Sequence, residues 1–522
     1  MNNLYNTVPH TGTLNSEILV TPKRWTEYKS EVKRTSKKKK GIRSVKIVGG
    51  RYYVANSSYR ERLARLLVII PAHNEEDTIA DTLSHILNQT RRPDRIVVSA
   101  DNCTDKTATV VRKIARKNPI VKLHITKDNK QRKVGALNQA WLLYSKGFDI
   151  VACIDADTVI WQGVLEELEE ELLPRTRCAG IMAKYTFDQD WIPPQIRTSK
   201  EPVRGAENEV KKVTKLPWKT RQLVRAQRLE FTSWNLDQLR RGRTTYVLGG
   251  QATMFRQAAL MLAATRNNGY GPWNSDTDVE DMELTWRFQD LQLETLISST
   301  ARADAGAMYN LKSLWAQRRK WDEGMIRLLL RYKLRNQTVF PIMQQLKMGL
   351  DLLVRVMFIL MLTASIVLHS FVWSWIWLLP PALAILINLK VASKAPRAKF
   401  GDYIFALLYF PAELYLWFRL ASFTASWGTA LIKAPTSTHD NWARQAQAER
   451  GDGGANASAI ILGGLLVLVI GMVVSLSLMP RNLADTVVAF GWVFLSVLTV
   501  TLSVIMAGKL LVMLLRDGRY SA

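Results

Sequence analysis

Asp155 and Asp157 stand two positions apart in IDADT, directly after the apolar stretch FDIVACI. Two carboxylates at the end of a buried strand can meet a divalent cation and the diphosphate it carries. Asp101 ends a second apolar stretch in SADNCTD, where a carboxylate can accept hydrogen bonds from a base or ribose. Pro71, Ala72, His73, Asn74 and Glu75 hold the equivalent place after LLVII. Further on, Asp276, Asp278, Glu280 and Asp281 crowd the start of a predicted helix, and such crowding should raise carboxylate pKa values and suit Asp281 to accept a proton. Gln317 to Trp321, QRRKW, offers cations to a developing diphosphate and an indole face to a sugar ring. These are the parts needed to move a group off a nucleoside diphosphate: a base pocket, a metal site, a general base and cationic help for the leaving group.

Plainer roles compete for some of these residues. Asp77, Thr104 and Asp105 read as helix caps. The D-x-D spacing recurs at Asp188 with Asp190 and at Asp276 with Asp278, so only its position after a buried strand singles out Asp155 and Asp157. The acids around Asp281 would equally complement a helix dipole.

The elements that must position these residues follow an α/β pattern. Continuous apolar runs at LLVII, RIVVSA, IVKLHIT and FDIVACI alternate with amphipathic helices from Asp77, Thr104 to Ala115, and Val134 to Tyr144. That pitch predicts a mostly parallel sheet with helices on both faces, its ligands gathering where strands end. A helix is expected from Arg221 to Leu239, and TTYVLGGQATMF reads as a strand broken by Gly249 and Gly250, a sign of close approach by backbone or ligand. RSVKIVGGRYYVAN reads as a hairpin around Gly49 and Gly50.

The 522 residues carry 71 Lys and Arg against 45 Asp and Glu, a formal net charge of +26. The densest run, Lys37 to Lys40, reads as solvated or as resting on anionic headgroups. Nucleic acid is not expected as a partner, because ordered strand-end carboxylates would repel phosphates. Cys103, Cys153 and Cys178 have no paired ligand spacing, which argues against a disulfide framework or zinc site, and no secretory signal is read at the N-terminus.

Apolar runs at 356–373, 375–389, from Ala459 and from Val487 are expected to cross a membrane, with Pro380 and Pro381 kinking the second. Basic loops at Lys390 to Lys399, at Lys433 and Arg444, and at Arg516 and Arg519 place those segments in the cytoplasm if 403–427 is interfacial or re-entrant. These readings divide the chain into a basic arm with a hairpin at 1–62, a cytoplasmic catalytic domain at 63–333, an interfacial helix at 334–355, a transmembrane pair at 356–390, a cytoplasmic and interfacial segment at 391–456, a second transmembrane pair at 457–512 and a cytoplasmic tail at 513–522.

In order along the chain, PAHNEE, ADNCTD, KVGALN, DAD, GGQATMFR, VEDMEL and QRRKW resemble the motifs of the membrane-integrated family-2 glycosyltransferases, the group of the hyaluronan, chitin, cellulose and poly-N-acetylglucosamine synthases. The resemblance spans roughly residues 64 to 450. It implies a GT-A (Rossmann-like) domain followed by an α-helical transmembrane bundle with interfacial helices. It also implies an inverting transfer from a UDP-sugar to a growing β-linked glycan, or to a lipid-linked acceptor in a non-processive relative, with Mn2+ or Mg2+ as cofactor. The enzyme would lie in the plasma membrane with a cytoplasmic active site, and a homo-oligomer remains open. By the same resemblance, Pro71, Ala72, Asn74, Glu75, Asp101, Lys133, Asp155 and Arg318 serve the nucleotide donor, Asp157 the metal, and Asp281 the acceptor hydroxyl as base. Gly250, Gln251, Ala252, Thr253, Glu280, Gln317 and Trp321 would face the acceptor, and the QAER region after Trp442 resembles a loop that reaches back toward the active site. Lys320 stands where the family commonly has arginine, giving a point charge in place of a bidentate fork. The chain also shows no transmembrane helix ahead of the catalytic domain, which some relatives have.

Overall fold

The computed structural model describes residues 46–48, 51–53, 64–187, 216–369, 371, 373–432 and 457–515. Two compact units emerge, one of Met1–Leu216 with Asp237–Ala307 and one of Pro217–Leu236 with Met308–Ala522. The sequence reading carried the catalytic domain to residue 333. The first compact unit ends at Ala307, and the helix bearing QRRKW belongs to the second.

In the first unit, β1 (Lys46–Val48) pairs antiparallel with β2 (Arg51–Tyr53); Gly49 and Gly50 between them lie outside the described residues. The main sheet begins with β3 (Leu66–Ala72), every residue of which is buried, as a strand covered on both faces requires. Then come α1 (Ile79–Leu87), whose Ile79, Leu83 and Ile86 form its buried stripe, β4 (Arg95–Ala100), α2 (Thr107–Lys117), β5 (Val121–Ile125), α3 (Arg132–Tyr144) and β6 (Ile150–Cys153). The remainder is β7 (Val159–Ile160), α4 (Val164–Leu172), β8 (Cys178–Phe187), α5 (Trp218–Arg240), β9 (Thr253–Arg256), α6 (Gln257–Arg266), α7 (Glu280–Asp290) and β10 (Glu294–Ala305). Of α5, only residues from Asp237 belong to the first unit.

The eight strands run in the order β5-β4-β3-β6-β9-β8-β10-β7. From β3 the chain moves outward through β4 to β5 and returns to β6 on the other side, all four strands parallel, so a crevice opens at the carboxyl ends of β3 and β6. Beyond β6 the sheet is mixed: β9 is antiparallel to β6 and β8, while β10 runs parallel to β8 and antiparallel to β7. TTYVLGGQATMF is not one broken strand. Only Thr253 onward joins the sheet, and Thr244 makes an isolated bridge to Leu296. Side chains replace the ladder before that point: the Leu248 amide donates to Thr285 Oγ1, and the Gly249 carbonyl accepts from Thr253 Oγ1.

The second unit is helical: the first part of α5, then α8 (Leu311–Tyr332), α9 (Asn336–Val367), a 3-10 turn (Trp375–Leu378), α10 (Leu379–Lys394), α11 (Phe400–Leu407), α12 (Tyr409–Ile432), α13 (Ala457–Leu478) and α14 (Arg481–Leu515). The separate elements read at 334–355 and 356–373 form one helix of 32 residues. Pro380 and Pro381 fall just after the junction of the 3-10 turn with α10. They sit in the first turn of α10, where a missing N–H breaks no helical bond. The ambiguous 403–427 segment is a pair of helices bent by 75°. Pro411 accounts for the break, since its ring cannot sit against the carbonyl of Leu407. Among the described residues three helices, Asn336–Val367, Trp375–Lys394 and Arg481–Leu515, are long and apolar enough to cross a membrane, or four if the bent pair is one span.

Candidate active site

Sheet pairing brings distant stretches to the end of β6. Because β9 runs antiparallel to β6, Thr253 lies opposite Cys153, and the residues just before Thr253 meet those just after Cys153. A Cβ on Gly250 would stand 2.6 Å from Lys133 Nζ and 2.9 Å from both Asp155 carboxylate oxygens. Any Cβ there would force the Lys133 ammonium and the Asp155 carboxylate to shift. From the other edge, β10 pairs with β7 in the register Ala303 to Ile160, which returns Gly306 to the Asp157 carboxylate. Trp161 Nε1 donates to Asp304 Oδ2 at 2.8 Å and ties the two strands together.

Lys133, in the first turn of α3, is the hub. Its ammonium lies 2.6 Å from Asp155 Oδ1 and 3.9 Å from Glu280 Oε1. Burial works against its charge, but Asp155, Glu280 and Asp281 outweigh burial and hold it protonated well above the usual lysine range. Asp281, at the start of α7, accepts from the Met282 amide at 2.7 Å, and its carbonyl accepts from Thr285 Oγ1, the residue that also fastens Leu248. The helix carrying Asp281 and the wall formed by Gly249 to Thr253 are therefore joined through one threonine. On that wall Ala252 and Thr253 are buried, and Gln251 Oε1 is a buried acceptor without a hydrogen-bond partner among the described residues.

At the ends of β3 and β4 the loops interlock. Pro71 and Ala72 pair with Ser99 and Ala100, and the Asp101 amide donates to the Ala72 carbonyl. His73 Nδ1 contacts the Asp101 carbonyl at 2.7 Å, Asn74 Oδ1 accepts from the Thr104 amide, and the Glu75 carboxylate accepts from Thr78 Oγ1. Asp105 accepts from the Thr107 amide ahead of α2, whose N-cap is Lys106 and not Asp105. Asp101 Oδ1 accepts from Thr126, Asn129 and Asn102.

Hard oxygen donors are the right chemistry for Mn2+ or Mg2+, which take one or two carboxylates and complete their shell with phosphate oxygens and water. Asp155 is engaged by Lys133, and the Asp157 carboxylate packs against the backbone of Gly306. Asp157 is a carboxylate donor of the kind that suits a cation held mainly by its substrate. Among the described residues no three His, Cys, Asp or Glu side chains form a closed metal cage.

QRRKW lies on α8 in the second unit, where Arg318 has partners within that unit. Its guanidinium is buried, 2.7 Å from Glu230 Oε2 and 2.6 Å from Gln317 Oε1, and it stacks 4.6 Å over the Trp321 ring. One face of that indole is therefore covered, and Phe231 meets it edge-on. Arg319 is paired with Glu323. The QAER region lies outside the described residues. The sequence reading missed Asn129, Thr126 and Gly306. The Asp-Asn pair at 128–129 is turn chemistry that could have pointed to the first; nothing local marks Gly306.

A mixed sheet of this order, with helices packed against it and acids at the ends of β4 and β6, is a GT-A-like fold. Residues 67–260 match the family described as Glycosyl transferase family 2. It is 24% identical over 275 residues to a poly-beta-1,6-N-acetyl-D-glucosamine synthase of Staphylococcus aureus, covering 52% of this chain and 57% of the relative. It is 22% identical over 278 residues to the synthase of the same name from Staphylococcus epidermidis, covering 52% and 58%. The chain thus spans less than two thirds of the curated relatives it matches. A solved mannosyltransferase from Pyrobaculum calidifontis, in complex with GDP-Man and Mn2+, is 16% identical, with a TM-score of 0.41 over 78% of this chain and 94% of that one.

Proposed function

We propose that the protein is an inverting, metal-dependent hexosyltransferase that extends a β-linked polysaccharide at the membrane from a UDP-sugar, with its first unit on the cytoplasmic side. The observation that carries this reading is the meeting of Lys133 with Asp155, Glu280 and Asp281 against the Gly250 backbone. The family match and the polymer-forming relatives support it, and the basic loops support the orientation.

Asp101 receives the base, with Pro71, Ala72, Asn74 and Glu75 around it. Lys133 keeps Asp155 in place and sets a positive charge beside the diphosphate. Mn2+ or Mg2+, held through Asp157, would supply charge that stabilises the departing diphosphate. The acceptor lies along Gly250 to Thr253, where Gln251 Oε1 accepts from a sugar hydroxyl. Asp281 takes the proton as the acceptor oxygen bonds to the anomeric carbon, and the bond from that carbon to the diphosphate breaks on the opposite face. An α-linked donor therefore yields a β-linkage.

The test is to offer the purified full chain a panel of nucleotide sugars with Mn2+ and to measure nucleoside diphosphate release and product size. A polymer ladder from one UDP-sugar is expected. A single small lipid-linked product would make the enzyme non-processive, and no release from any donor would end the reading.

A further inference from the structure

Asp101 has two carboxylate oxygens, and the structure uses them unequally. Oδ1 accepts from Thr126 Oγ1 at 2.7 Å, Asn129 Nδ2 at 2.7 Å and Asn102 Nδ2 at 3.1 Å. Three donors exhaust the acceptor capacity of one oxygen. Oδ2 accepts from none of the described residues.

The chain invests in this arrangement. The Asn129 amide also donates to the Arg132 carbonyl at 2.7 Å and accepts from the Gln131 amide at 2.9 Å, so the turn is folded around its side chain. Asn102 Nδ2 further donates to the Asn129 carbonyl. Asn102, Asp128 and Arg132 all hold positive φ, of 46°, 48° and 54°. Non-glycine residues enter that region at a cost that is accepted where surrounding contacts enforce it. Gly135 completes the clamp, because a Cβ there would collide with the Asn129 amide.

We infer that Asn129, with Thr126, is a positioning residue that sets base selectivity by withdrawing one oxygen of Asp101 and leaving a single acceptor for the base. This rests on the reading of Asp101 as the base contact. Uracil presents one N–H, at N3, flanked by two carbonyls, and needs one acceptor. Guanine presents N1–H beside an exocyclic amine and gains its second bond only from a carboxylate with both oxygens open. The clamp therefore favours a uridine over a guanosine diphosphate.

The experiment measures Kd for UDP and for GDP, each with Mn2+, by calorimetry on the full chain and on its N129A and T126V variants. Melting temperatures without nucleotide confirm that each variant is folded. The wild type is expected to bind UDP at least tenfold more tightly than GDP, and each variant to narrow that ratio at least threefold. A loss of stability alone would weaken both nucleotides equally and leave the ratio where it was. An unchanged ratio in both folded variants, or a wild type that prefers GDP, overturns the inference while the donor site stands. Failure of the wild type to bind either nucleotide overturns the donor reading itself.

Discussion

Each unit holds a cluster of buried charge, and the two are balanced differently. In the first, three carboxylates, Asp155, Glu280 and Asp281, press on one ammonium, Lys133. In the second, Glu230 and Asp322 face Arg318 and Arg419: Arg318 lies 2.7 Å from Glu230, and Arg419 bridges Glu230 at 3.0 Å and Asp322 at 3.2 Å. Two acids there meet two guanidiniums, with Tyr415 and Ser422 adding hydroxyl donors. Matched charges of this kind brace α5, α8 and α12. An excess of negative charge lined by bare glycine backbone is a site that a cationic or proton-donating ligand completes.

The largest effect should come from the unmatched cluster. Asp281→Asn is expected to lower kcat by about a thousandfold, as loss of a general base does, while UDP with Mn2+ still raises the melting temperature. Normal turnover by this variant would remove the base and with it the meaning of the contrast. Gly250→Ala sharpens the same point, since its Cβ would push Lys133 and Asp155 apart. A roughly hundredfold loss of activity is expected with little change in melting temperature. The matched network should behave in the opposite way. Arg318→Met removes one of the two guanidiniums that face the Glu230 carboxylate and should cost about 3 kcal/mol of stability, read by denaturant titration, with UDP affinity unchanged. If it weakens UDP binding and leaves stability alone, the two clusters have been assigned the wrong way round.

How far these clusters can be read from sequence differs for physical reasons. Asp101, Asp155 and Asp157 are legible because buried parallel strands are continuous apolar runs, and whatever follows such a run lies at the crevice. Gly306 is not, because it reaches Asp157 through the pairing of β10 with β7, a strand of two residues with no periodicity to detect. The partner of Arg318 is not legible either, because a cation in a motif says nothing of its partner, and Glu230 lies 88 positions away. The continuity of α9 is hidden similarly. Lys347, Asp351 and Arg355 read as the polar end of an interfacial piece, yet Lys347 pairs with Asp351, and Arg355 meets Glu413 on α12 through two bonds of 2.6 and 2.9 Å. Paired charges can remain on apolar helices where single ones would not.

The smallest expected effect concerns Lys184 on β8, the counterpart of Lys133 within the first unit. Burial and the neighbouring Arg302 push its ammonium down to about 7, against a partial offset from Glu167, and its Nζ donates to the Ser299 carbonyl. In the folded chain Lys184 loses its proton near pH 7, whereas in the unfolded chain it keeps it to about 10.5. The unfolded state therefore binds more protons across that window, and stability rises with pH from 7 upward. Below pH 7 both states carry the proton and the folded one bears the whole cost of burying it. Lys184→Met should remove this slope, so the difference in stability between variant and wild type should shrink by about 2 kcal/mol between pH 7 and 9. Parallel melting profiles for the two proteins would mean that Lys184 keeps its charge. A cation would then lie buried in the first unit without the surplus of acid that sets Lys133 apart.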